Sequence, residues 1–400
     1  MTRKSYEEHV MDPDVMLMIP GPTVISQKAQ EKLGLPMMPH YGDAWSAFYF
    51  GVIEKTKQVY QTQNELFILA ATCSAAMELA VSHAVEPGEK ILICNNGFFG
   101  DRFEEMARCL GLDTVAVRSE YGRAVTGEQV SAALSQDDAI RALAVVHNES
   151  STAVESDLPG IVAAARAHDV LTVVDCVSSM GAVDIPTDRL GIDYCISGTQ
   201  KCFGAPPGLA FLSVSERALA RLQERKTPVA AWYLNLDILR KYREEWTDWH
   251  PQGPNTASVP LYLSLDQALD EILEEGLPTR FARHTRARDA FRAAMRAMGL
   301  ALYVEDAIAS RTLTAVCLPE GIDGAVLRKN ILEKQRILIA GGLGATANTV
   351  IRVGHLAWTA SEEYLVPTIQ AIDAELAAMG AEIASGQGVS AFQETFRQGR

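Results

Sequence analysis

The run Tyr194-Cys195-Ile196-Ser197-Gly198-Thr199-Gln200-Lys201-Cys202-Phe203-Gly204-Ala205-Pro206-Pro207-Gly208-Leu209-Ala210-Phe211-Leu212-Ser213-Val214 decides how this chain folds. Two short apolar stretches, 194–197 and 209–214, flank a turn stiffened by two prolines and a glycine. Such stretches predict strands buried on both faces, with Lys201 displayed where the first one ends. Lysine is the side chain that forms Schiff bases, and it is nucleophilic at neutral pH only in a desolvated or cation-rich pocket. The plainer reading is a surface lysine before a rigid loop.

Upstream, Val173-Val174-Asp175-Cys176-Val177-Ser178-Ser179 ends a buried strand, 171–175, on an aspartate. Open α/β folds place ligand contacts at the carboxyl edge of the sheet. A carboxylate there, facing a pyridine nitrogen, keeps that nitrogen protonated; the alternative is a helix cap. Further strand candidates at 66–69, 90–94, 114–118 and 143–147 alternate with helical patterns at 101–110, 128–134 and 158–168. Thr126 with Gln129 fits a capping box. The alternation predicts an α/β fold, a mainly parallel sheet flanked by helices.

After residue 262 the texture changes. Helices are expected at 263–275 and 279–298, broken by Gly276-Leu277-Pro278, and at 324–335 and 361–379. Strands are expected at 301–304, 313–318, 337–340 and 350–354. The reading divides the chain into an N-terminal segment (1–22), a large domain (23–262), a smaller C-terminal α+β domain (263–380) and a tail (381–400). The Gly/Ser/Gln-bearing tail reads as loose or as an oligomer contact.

Of 400 residues, 48% are hydrophobic and 22% charged, a globular composition that excludes a mainly disordered chain. The 36 basic and 50 acidic side chains give a net charge of −14, which argues against non-specific binding to nucleic acid or anionic membrane. Seven dispersed cysteines without a C-x-x-C pair read as reduced core thiols. No apolar run approaches the ~18 residues that span a bilayer, and 1–14 lacks the apolar core of a signal peptide. A cytoplasmic protein with no membrane, nucleic-acid or metal partner is expected.

Four more stretches carry polar chemistry. His147-Asn148-Glu149-Ser150-Ser151-Thr152 offers hydroxyls at a strand end, either for a ring oxygen or as a simple turn. Ala71-Thr72-Cys73-Ser74-Ala75-Ala76-Met77-Glu78 is a strand-to-helix junction, an anion site or a plain N-cap. Asn95-Asn96-Gly97-Phe98-Phe99-Gly100 sets an aromatic face over a flat ring, or contributes to the core. Ile351-Arg352-Val353-Gly354-His355 puts an arginine inside an apolar strand, where it wants an anion: a ligand carboxylate or a structural ion pair.

Together these motifs, in this order and spacing, resemble the class V aminotransferases, fold-type I enzymes dependent on pyridoxal 5′-phosphate. The resemblance runs from Pro20-Gly21-Pro22-Thr23 to about Ala378 and is closest to the alanine–glyoxylate, serine–glyoxylate and serine–pyruvate group. It implies that Lys201 is the Schiff-base lysine and proton carrier, and that Asp175 pairs with the pyridine N–H. Val177 would pack under the ring, Phe99 would stack over it, and Ser150 would reach its hydroxyl. Thr72, Cys73, Ser74 and Gln200 would surround the phosphate, joined by Ser258 of a neighbouring subunit in a homodimer or tetramer. Arg352 would bind the substrate α-carboxylate, with Tyr41 on the substrate side.

Departures matter. Cys73 stands where the family usually has glycine, Ser258 where threonine is usual, and Asn255 where tyrosine is. The stretch Pro39-His40-Tyr41-Gly42, with 214–217 and Gly354-His355, is similar to pyridoxamine–pyruvate aminotransferase. That enzyme has a glutamate where Thr72 stands and a second arginine where Leu343 stands, and this chain has neither. The implied reaction is transamination between a serine- or alanine-type donor and glyoxylate or pyruvate. The alternatives are a pyridoxamine–pyruvate-type enzyme, a dicarboxylic aspartate–glyoxylate enzyme, or a fold-type I lyase. A dicarboxylic donor needs a second cation, and Arg102 and Arg240 fall in predicted helices with no sign of facing the pocket. A lyase of the desulfurase kind needs a reactive cysteine, and Cys317 falls in an apolar strand.

Overall fold

A seven-stranded sheet organises the computed structural model, which describes residues 12–398. Its strands are β1 (Glu65–Leu69), β2 (Lys90–Asn95), β3 (Asp113–Arg118), β4 (Ile140–Val146), β5 (Leu171–Asp175), β6 (Tyr194–Gly198) and β7 (Ala210–Val214), ordered β1-β7-β6-β5-β4-β2-β3. Strands β3, β2, β4, β5 and β6 pair in parallel, and β7 runs antiparallel between β6 and β1. The sheet is therefore mainly parallel, as the strand–helix alternation predicts. Every residue of β5, β6 and β7 is buried, because apolar clusters cover both faces. That explains why these strands read as continuous apolar runs rather than alternating ones.

The helices that matter for the site begin at the carboxyl edge. They are α1 (Cys73–Ala84), following β1, and α2 (Phe98–Cys109), following β2. The capping box at Thr126 and Gln129 is formed, opening helix Gly127–Leu134.

Beyond these, α3 (Val259–Glu275) and α4 (Leu277–Ala297) are long. Both start earlier than expected, because Pro260 and Pro278 occupy first-turn positions, where a missing N–H costs nothing. A three-stranded antiparallel sheet follows, with β8 (Leu313–Cys317), β9 (Ala340–Gly341) and β10 (Val350–Gly354) in the order β8-β10-β9. The expected strand at 301–304 is only a single bridge, Leu302 to Val316.

Of the two readings of the tail, loose or an oligomer contact, the loose one is corrected. Residues Gln387–Gln398 form helix α5, with Phe392 and Phe396 buried. These two are four residues apart, on one helical face, and they join the core built on α4. Glycine and glutamine in the composition hid this short amphipathic pattern. Residues 1–11, part of the expected N-terminal segment, lie outside the described residues. From Met16 the segment crosses the smaller sheet: Met18 is buried in its core, and the Gly354 N–H donates to the Met18 carbonyl at 2.8 Å. All seven cysteines are free thiols. Among the described residues no helix is long and apolar enough to cross a membrane.

Candidate active site

Register aligns the chemistry. Val146 of β4 pairs with Asp175 of β5, which pairs with Ile196 of β6. Three neighbouring strands thus end together and deliver Asn148, Asp175 and Lys201 to one edge. There they border a cavity of about 150 Å³, also lined by Thr72, Cys73, Ser74, Phe99, Arg102, Val177 and Gln200. Eight of the expected residues therefore meet in one place: Thr72, Cys73, Ser74, Phe99, Asp175, Val177, Gln200 and Lys201.

Lys201 donates from Nζ to the Pro20 carbonyl. That approach requires glycine at 21: a Cβ there, where φ is +110°, would strike the lysine side chain. Burial, helped by the nearby Arg352 charge, holds the Lys201 ammonium below its ordinary range. Asp175 is 5% exposed. Its Oδ1 accepts the Val177 N–H at 2.8 Å, so part of the helix-cap reading is realised, although a turn rather than a helix follows. Burial pushes the Asp175 carboxyl up to about 6.

At the α1 end, Thr72 is the N-cap but its side chain makes no capping bond. The first-turn N–H groups of a helix lack internal acceptors, so they stay available to an anion. Cys73 Sγ accepts from Gln200 Nε2 at 3.3 Å, and burial pushes the thiol up to about 11. Gly198 leaves room for that sulfur.

Four expected residues lie outside the cavity lining. Arg352, in β10, is 7% exposed. Its guanidinium donates to backbone carbonyls, Nε to Gly341 at 2.7 Å and Nη1 to Ser150 at 2.5 Å. Among the described residues it has no ion pair, so the structural salt bridge is absent; the Glu149 charge acts on it from a distance, with that carboxylate's oxygens already taken by Phe99, Gly100 and Ser151. Burial brings it down to about 10. Ser150 therefore touches Arg352 through its carbonyl. Tyr41 is 46% exposed and stacks on Trp249 at 4.9 Å between ring centroids. Ser258 is the residue before α3, away from its own chain's cavity.

Three residues were not assigned from the sequence. Asn148 is buried in the lining, donating from Nδ2 to the Ser178 carbonyl (3.0 Å) and the Thr312 hydroxyl (2.7 Å). The Ser178 carbonyl can only accept, so the amide orientation is fixed and its Oδ1 has no partner. Glu149 is fully buried and accepts from Phe99 N (2.9 Å), Gly100 N (3.2 Å), Ser151 N (2.9 Å) and Ser151 Oγ (2.5 Å). It caps α2, whose own N-cap, Gly97, carries no side chain, and burial raises its carboxyl. Arg102 overturns an expectation. It lines the cavity, with Nη1 3.1 Å from Ser74 Oγ and its guanidinium 4.7 Å from the Phe99 ring centroid. The available signal was its spacing, three residues after Phe99 on one helix face. Arg240, by contrast, pairs with Glu65 at 3.0 Å, outside the lining.

The family profile "Aminotransferase class-V" matches residues 30–361. The chain belongs to the class V aminotransferases. L-aspartate–glyoxylate aminotransferase of Paracoccus denitrificans is 32% identical, over 96% of this chain and 96% of its own. Serine–glyoxylate aminotransferase of Hyphomicrobium methylovorum is 32% identical, over 95% of this chain and 94% of its own. The crystal structure of pyridoxamine–pyruvate aminotransferase from Mesorhizobium loti superimposes with a TM-score of 0.90 at 28% identity, covering 96% of this chain and 98% of that one. An aminotransferase moves an amino group between an amino acid and an oxo acid.

Proposed function

We propose that this aminotransferase uses pyridoxal 5′-phosphate to exchange an amino group between a serine- or alanine-type amino acid and glyoxylate or pyruvate, working as a homodimer. The residues present fit that cofactor. Asn148 Oδ1 is a buried acceptor awaiting a donor, which costs about 1–3 kcal/mol if left unmet. The α1 start awaits an anion, and Asp175 supplies a carboxylate for a ring nitrogen. When bound, the cofactor supplies the carbonyl that carries the amino group and a ring that takes up electrons.

The chain's own residues do the rest. Asp175 would hold a proton on the pyridine nitrogen. Lys201 Nζ, whose charged form burial disfavours, takes and returns the proton at the substrate α-carbon. Thr72, Ser74 and Gln200 would hold the phosphate, with Cys73 packed against Gln200; Phe99 and Val177 would flank the ring, and Ser258 of the partner subunit would close the phosphate side. Arg352 binds the α-carboxylate through its planar fork. The observation that carries the reading is this buried arginine without a direct ion pair, within electrostatic reach of Lys201.

The relatives named above act on glyoxylate or pyruvate, which supports a small oxo acid here. A desulfurase-type lyase is disfavoured: Cys73 is the lining cysteine, and a thiol held near 11 is protonated at neutral pH. The test is kcat/KM for alanine, serine, aspartate and glutamate against glyoxylate. Serine or alanine is expected to lead; aspartate ahead of serine by tenfold or more would overturn the donor assignment.

A further inference from the structure

Arg102 is the one cation in the lining besides Lys201, and it stands at the α1 end. Its Nη1 donates to Ser74 Oγ at 3.1 Å, which leaves the Ser74 proton free to point elsewhere. The guanidinium is braced over two rings, 4.7 Å from the Phe99 centroid and 5.6 Å from that of Phe98, a cation–π arrangement. Among the described residues it makes no ion pair, although Asp101 precedes it and Glu104 follows two positions later. A guanidinium, a serine hydroxyl and the uncapped first turn of a twelve-residue helix converge on one spot. Two of these carry positive charge or partial charge and the third donates a hydrogen bond. The complement is a multiply charged tetrahedral oxyanion rather than a planar amino-acid carboxylate, which Arg352 already serves from β10.

We propose that Arg102 is the phosphate-recognising arginine of this site, so that the enzyme selects the phosphorylated vitamer over free pyridoxal, and that Arg102 is not a second clamp for dicarboxylic donors. This rests on the cofactor reading above.

The test is equilibrium titration of apo-protein with pyridoxal phosphate and, separately, with pyridoxal, read by tryptophan fluorescence and visible absorbance. Wild type is compared with Arg102→Gln and Arg102→Lys. Arg102→Gln should weaken pyridoxal phosphate at least tenfold and leave pyridoxal within twofold. Arg102→Lys should recover part of the loss, because it restores the charge without the fork. Inorganic phosphate should enhance pyridoxal binding in wild type and not in Arg102→Gln. The ratio of kcat/KM for aspartate to that for serine should stay the same in both variants. Equal weakening of both vitamers by both variants would overturn the proposal in favour of a packing role through Phe99. Unchanged pyridoxal phosphate affinity with a selective loss of aspartate turnover would overturn it in favour of a distal-carboxylate clamp. Wild-type protein that binds neither vitamer would overturn the cofactor reading itself, and the proposal with it.

Discussion

Asp175→Asn should make the apo-protein more stable at neutral pH while it weakens cofactor binding. The Asp175 carboxyl is raised from an ordinary value of 3.8 to about 6, first by burial and further by the Glu149 charge. The folded chain therefore holds this proton more tightly than the unfolded chain. Stability falls as pH rises from 3.8 to about 6, and the full cost stands above that window. At about 1.4 kcal/mol per pH unit the cost is about 3 kcal/mol. Asparagine keeps an acceptor for the Val177 N–H and carries no charge to desolvate. For 400 residues, an unfolding entropy of about 2.1 cal/mol/K per residue turns 3 kcal/mol into about 4 °C. Thermal unfolding of both apo-proteins at pH 8 should show that gain, and at pH 4.5 the difference should shrink to about 1 kcal/mol. A variant no more stable at pH 8, or one gaining equally at both pH values, would refute the reasoning. The expected outcome marks Asp175 as a residue retained against stability for what it does to a ligand.

Lys201→Ala should still bind pyridoxal phosphate non-covalently, lose the visible absorbance of the covalent attachment, and lose turnover by roughly three orders of magnitude or more; near-normal transamination in steady-state assays would contradict the assignment. Arg352→Ala removes a charged hydrogen bond of about 1.5–3 kcal/mol, so KM for every donor should rise about 10- to 150-fold; unchanged KM would remove the clamp. If Ser258 completes a neighbour's phosphate site, sedimentation should show a dimer at working concentration, and dilution to monomer should release cofactor; a fully active monomer would contradict this.

The sheet was legible because its strands are buried on both faces, so apolar runs with turn residues between them marked each one. Lys201 and Asp175 were legible because each interrupts such a run with a charge, at the edge where ligands sit. Arg102 escaped because a cation on a helix with a polar face resembles any solvated one; its spacing from Phe99 gains meaning once the fold sets it beside Ser74. Glu149 stood in a quoted motif, but its service to the α2 N–H groups joins residues fifty positions apart, which no local pattern encodes. Asn148 shows its meaning only through the missing partner of one oxygen. The tail helix was lost to composition, since two phenylalanines four apart are a faint period in twelve residues.

The central claim is that one lysine-bearing cavity carries out both halves of an amino transfer, and a single-turnover experiment tests it most directly. Protein loaded with pyridoxal phosphate is mixed with one equivalent of serine or alanine, without any oxo acid, and absorbance and products are followed together. The account predicts that the visible band bleaches as one equivalent of the donor's own oxo acid appears with no free ammonia, and that glyoxylate or pyruvate restores the band. Continued release of pyruvate and ammonia from serine without an acceptor, or a band that no amino acid bleaches, would contradict it.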